Sequence, residues 1–215
     1  AWALDQIEAG VDADSLIERV VTGNQSIAIL GVALRIAMTK WTVSAVSEAL
    51  VVTQRLWKAD IERFVQEASI RSSSLIGFTR ESQREGARAV QAHNERPVRS
   101  EEIRRLVTLH VLNTDEVAAE RVRKAILAFA EAPAFELEEE RAHPEAVAEY
   151  RAQARTNAAW GNLDHYRLVE VPNQPDRQAI VMVNPIAEEP EAKARLAEGS
   201  SYLSAFGVFH WADNS

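Results

Sequence analysis

Apolar positions in the first third of the chain recur at intervals of three and four residues, and that period predicts helices. Trp2, Leu4 and Ile7 begin a short one that ends near Gly10. Asp12 or Asp14 caps the next, whose Leu16, Ile17, Val20 and Val21 share a face. Gly23 suits the position just past its end, where a left-handed backbone is needed, and Asn24 suits the N-cap of a third helix. That helix carries Ile27, Leu30, Leu34 and Met38 in one stripe, while Ile29, Val32 and Ile36 cover its other sides. A helix apolar all round is expected to have neighbours all round, supplied by the helices before and after it. Arg35, its one charge before Lys40, is expected to lay its stem on apolar surface and keep its head in water.

The pattern continues with a helix over residues 43–52, capped by Thr42, and an amphipathic one over residues 53–68 with Leu56, Trp57, Ile61, Phe64 and Val65 inward. Ser72, Ser73, Ser74 and Gly77 mark a break. Residues 80–96 read as a weak polar helix ended by Pro97. Ser100 caps a helix bearing Ile103, Leu106, Val107, His110 and Val111. Thr114 caps another with Val117, Val122, Ala125, Ile126 and Phe129 as core candidates. A further helix runs from Pro144 to Trp160. The period then changes. Residues 165–171 and 178–183 are rich in β-formers and flank a Pro/Asn/Asp turn cluster, which predicts a hairpin, and Pro190 opens a last helix through Glu198. The expected fold is mainly α: an irregular antiparallel helical array, solenoid-like, over residues 1–160, followed by a small α+β extension over 161–215. The patterns of the common helical and leucine-rich repeats are absent.

Composition narrows the function more than the fold. Hydrophobic residues are 47% of the chain and charged residues 26%, which is ordinary globular usage. Cysteine is absent, which removes disulfides, thiolate metal sites and a thiol nucleophile, and fits a cytoplasmic protein. A net charge of −8 argues against general binding to a phosphate backbone. The chain starts Ala-Trp-Ala-Leu-Asp, in the pattern of a helix interior, and is expected to be a piece of a longer protein.

Candidate chemistry is sparse. Neither a phosphate-binding loop nor a Gly-x-Gly-x-x-Gly stretch is present, so no nucleotide cofactor is expected. Glu140 and His143 have the Glu-x-x-His spacing of a di-iron bundle, but that chemistry needs a second such pair, so no metal is expected. Asp164 beside His165 can orient an imidazole, yet sits at a turn into a strand. Arg80, Arg84 and Arg88 share one helical face, with Arg71, Arg96, Arg99, Arg104 and Arg105 in the same third of the chain. Arg80, Arg84, Arg88, Arg104 and Arg105 are therefore the candidate interaction face, for a protein partner or the remainder of a larger parent chain; interleaved Glu81 and Glu85 favour a salt-bridged exposed face or an internal protein contact over nucleic acid. No catalytic residue is assigned. Two rival readings stay open: a small all-α enzyme whose Asp60, Glu62, His110 or His165 meet only in the fold, and a nucleic-acid module using the face from Arg80 to Arg105.

One resemblance goes further. An opening helix with Trp2 and Asp5-x-Ile7, then "GVDADSLIERVVTGN", "IAILGVALRIAM" and "TQRLWKADIERFV" resemble the helical region of large bacterial STAND-type P-loop ATPases, some of which act in antiviral defence. The likeness spans residues 1–65 and rests on core-packing positions. It implies a scaffold or sensor arm outside the ATPase core, which recognises a protein ligand, and it carries over no ATP-site residue.

Overall fold

The computed structural model describes residues 2–24, 26–72, 96–171 and 174–185. Among them the chain is mainly helical and ends in a small two-stranded antiparallel sheet. The helices are α1 (Trp2–Glu8), α2 (Ala13–Val21), α3 (Ile27–Lys40), α4 (Ala45–Val51), α5 (Gln54–Ser72), α6 (Ile103–Val111), α7 (Glu116–Leu127) and α8 (Pro144–Ala158); the strands are β1 (Tyr166–Val171) and β2 (Gln174–Met182). Short 3-10 turns at Pro97–Ser100, Ala128–Ala130 and Ala159–Gly161 link them. The helices expected over residues 80–96 and 190–198 lie outside the described residues.

Helix starts are set by side chains that reach a free N–H, and these sit one or two residues from several expected caps. Asp12 does cap α2, accepting from the Ser15 N–H at 2.9 Å, and Gly23 takes a φ of +76° just beyond its end. The cap of α3 is Ser26 rather than Asn24, whose amide turns back to the Val20 carbonyl at 3.2 Å. Ser44, not Thr42, caps α4 in a reciprocal box with Ser47. Asp115, not Thr114, caps α7, accepting from Val117 and Ala118 at 3.1 and 3.2 Å.

The core gathers around α3, which packs on α1, α2, α4, α5 and α6. Ala33, Leu34, Ile36, Ala37 and Met38 are buried there. The opposite side is open: Ile27 and Val32 are each 42% exposed, so α3 is not walled in all round. Trp57 is fully buried, donates from Nε1 to the Val51 carbonyl at 2.7 Å, and meets Phe129 and Trp160 edge to face at 5.7 and 6.5 Å. Val117 is 75% exposed, because it stands about 200° round α7 from Ala119, whose face is the buried one. Val65, expected inside, is also exposed.

The hairpin pairs Leu168 with Ile180 and Val169 with Ala179. Among the described residues its base is tied to the helices: Tyr166 donates its hydroxyl to the Trp160 carbonyl at 2.8 Å, and the Asn184 amide donates to the Thr156 carbonyl at 3.0 Å. No described helix is long and apolar enough to cross a membrane.

Candidate functional site

The open side of α3 forms one wall of a groove of about 430 Å³, closed by α1, α5 and the turn at Pro97–Ser100. Its walls are Leu4, Ile27, Gly31, Val32 and Leu56; its charged end holds Arg35, Asp60, Arg63, Glu67 and Arg99. The charges form one network. Asp60 Oδ1 lies 3.1 Å from Arg35 and 3.0 Å from Arg63. Arg63 continues to Glu67 at 2.5 Å, and Glu67 also pairs with Arg99. Arg35 donates to the carbonyls of Val98 and Glu101, so its head is held within the fold instead of resting in water.

Asp60 is the deepest of these groups, its side chain 3% exposed. Burial pushes its carboxyl up to about 6, against the pull of Arg35 and of the Ile103 N–H. That N–H, at 2.7 Å from Asp60 Oδ2, belongs to the first residue of α6, whose own N-cap residue Glu102 gives it no side-chain bond. At the far end of α6 the buried Arg123 donates to the Val111 carbonyl at 3.1 Å and is balanced by Glu116 and Glu120. An anion from α5 and a cation from α7 thus complete the two ends of one helix, each at the end whose partial charge it opposes.

The other polar clusters are equally committed. His110 Nε2 sits 2.9 Å from Ser47 Oγ, both fully within the core. Ser47 Oγ also lies 2.7 Å from the Thr42 carbonyl and accepts from the Ser44 N–H at 3.0 Å. The hydroxyl proton goes to the carbonyl, so the imidazole is the donor to Ser47 and not a base for it. Burial lowers the His110 pKa, with Glu48 acting against the shift. Lys58 stands by a smaller cavity of about 230 Å³, 2.9 Å from Glu136 and 5.0 Å from the Tyr150 ring. Burial disfavours its charge, but hydrogen bonds to Glu136 and Tyr150 prevail and hold its pKa above the usual range.

Of the residues expected to carry function, Arg80, Arg84 and Arg88 lie outside the described residues. Arg104 pairs with Glu102 and covers the Trp160 ring; Arg105 pairs with Glu101 and lies 4.2 Å over Trp41. Asp60 and Glu62 line different cavities. His110 is in the core, and His165 Nδ1 lies 2.9 Å from the Ala159 carbonyl. The fold does not assemble these four into one cleft. Glu140 accepts from the Tyr150 hydroxyl and the Leu137 N–H, and among the described residues no group of three potential metal ligands exists. The groove and its network had no sequence signal beyond Arg35 on an apolar helix. Their members come from α3, α5 and a distant turn. Comparison with protein-family models, curated proteins and solved structures found no match.

Proposed function

We propose that this chain is a non-catalytic helical interaction region of a larger protein, with a protein as its partner. One observation carries the reading: the hairpin leaves Leu168 67% and Ile180 51% exposed as a cross-strand pair, with Val181 and Val183 also exposed. A two-stranded ribbon is marginal by itself and gains stability from something packed on its face or added at its edge. The helical body supplies a firm base, since its buried Asp60, His110, Arg123 and Ser47 are all engaged with helix ends or with each other. The N-terminal resemblance suggests a STAND-type ATPase as the parent, and the absence of cysteine fits the cytoplasm as its place. In that setting the region would bind a protein ligand and pass on a change of shape.

A photo-crosslinking residue placed at Leu168, with a control at the exposed Glu145 of α8, tests this in native cells. Discrete protein adducts from position 168 that are missing at 145 are expected. No adduct at 168, or the same set from both positions, would overturn the reading.

A further inference from the structure

Helix α4 opens on a set of hydrogen bonds that ends at a buried imidazole. Ser44 Oγ donates to Asp14 of α2 at 2.9 Å and accepts from the Ser47 N–H at 3.2 Å. Ser47 Oγ has one proton and two lone pairs, and all three are used. The proton goes to the Thr42 carbonyl; the lone pairs accept from the Ser44 N–H and from His110 Nε2 of α6. Ser47 is 0% exposed and His110 3%. The neutral ring therefore carries its proton on Nε2. A second proton can enter only at Nδ1, and it puts a whole charge in the core.

The charges around the ring are already matched to other partners. On α4 the facing group is Glu48, which favours the charged ring, but both its oxygens are held by Arg121 of α7 at 2.5 and 2.6 Å. The carbonyl end of α6, which favours a cation, already has Arg123 of α7 on the Val111 carbonyl, and Arg123 in turn pairs with Glu116 and Glu120. Asp60 and Arg63 of α5 and Arg35 of α3 gather at the opposite end of α6, about Glu101 and Ile103. Lys40 of α3 is exposed. The turn Ala159–Gly161, which also packs on α6, has no charged residue. On α6 itself, Arg104 and Arg105 pair with Glu102 and Glu101. A charged ring is thus stabilised most by leaving Ser47 for water. Helix α4 is the side that yields. It has seven residues, too few to hold alone, whereas α6 is braced at both ends.

We propose that the Ser47–His110 bond is an acid-released latch: the neutral ring holds the first turn of α4 on α6, and protonation of Nδ1 lets α4 swing off while α6 stays in place. An open state with a solvated ring takes its proton at the ordinary 6.5, and the closed state only at lower pH, because burial lowers the His110 pKa. The closed state is therefore fully favoured above 6.5 and loses ground as pH falls below it.

Hydrogen exchange of the intact chain at pH 7.5 and 5.5, corrected for the intrinsic rates, reads the opening. Protection of the amides of residues 48–52 should fall several-fold at the lower pH, up to a limit of about tenfold for an ordinary imidazole. Helix α8 should keep its protection. His110→Gln retains an N–H for Ser47 and cannot titrate, so its α4 amides should be equally protected at both pH values. A long-range proton–nitrogen spectrum of the wild-type chain at pH 7.5 should show the His110 ring protonated on Nε2, and it needs no variant. Unchanged α4 protection at pH 5.5, a fall that α8 shares equally, a fall that persists in His110→Gln, or a ring protonated on Nδ1 would overturn the proposal. None of these readings depends on the hairpin, so the outcome stands whether or not Leu168 meets a protein.

Discussion

The helical body and the hairpin treat their side chains in opposite ways. In the body, charged groups such as Asp60 and Arg123 go inside and apolar ones pack around them; in the hairpin, Leu168 and Ile180 face out. The difference follows from pairing. Each inward charge has a helix end or an opposite charge to answer, which offsets the cost of leaving water. The hairpin has no such interior. Its apolar residues are consecutive on both strands, so neither face is the buried one, and two strands cannot enclose a core. The body is specified by contacts within the described chain, while the ribbon lacks a covering layer there.

The contrast is most sharply broken at Trp57. Trp57→Ala removes a fully buried ring that meets Phe129 and Trp160, and should cost about 3–5 kcal/mol in urea unfolding. A smaller loss is expected at Gly161, where an added Cβ would lie 2.7 Å from the Arg123 carbonyl oxygen on α7. Gly161→Ala forces the 3-10 turn off α7 and should cost about 1–3 kcal/mol by the same measurement.

The third effect is a pH dependence. The Asp60 carboxyl is raised to about 6 in the fold from an ordinary 3.8, chiefly by burial. Between those values the folded chain holds more protons than the unfolded one. Stability from this group is therefore present at low pH and is lost as pH rises through 6. Between pH 5 and pH 7 the loss should be about 1 kcal/mol, and it should vanish in Asp60→Asn. Comparing the two proteins' unfolding free energies at both pH values isolates it from acids such as Glu48, held low by Arg121, which act in the other direction. The smallest effect belongs to the ribbon. Leu168→Ser should change stability by less than about 0.5 kcal/mol, so a large loss there would mean that the ribbon is packed after all.

How much of this the sequence discloses depends on distance along the chain. Helices α1 to α3 are legible because Asp12 and Gly23 act on residues beside them. Trp57 and the hairpin are legible from periodicity alone. The cap that Asp60 gives to Ile103 spans 43 positions and has no local mark. The same holds for Arg35, whose partners Val98 and Glu101 are more than sixty residues away. An all-apolar helix also hides which side faces the groove: Val32 and Leu34 look alike in a pattern, and only their neighbours divide them.

Helix α6 has nine residues and neither of its termini is its own. Cut out as a peptide it would be too short to hold together in water and would lose both outside braces. It therefore serves as a keystone between α5 and α7: neither arm can swing away without unravelling the middle. Its amides should exchange with solvent only when the whole assembly opens, and a signal pressed on either arm would reach the other with little slack.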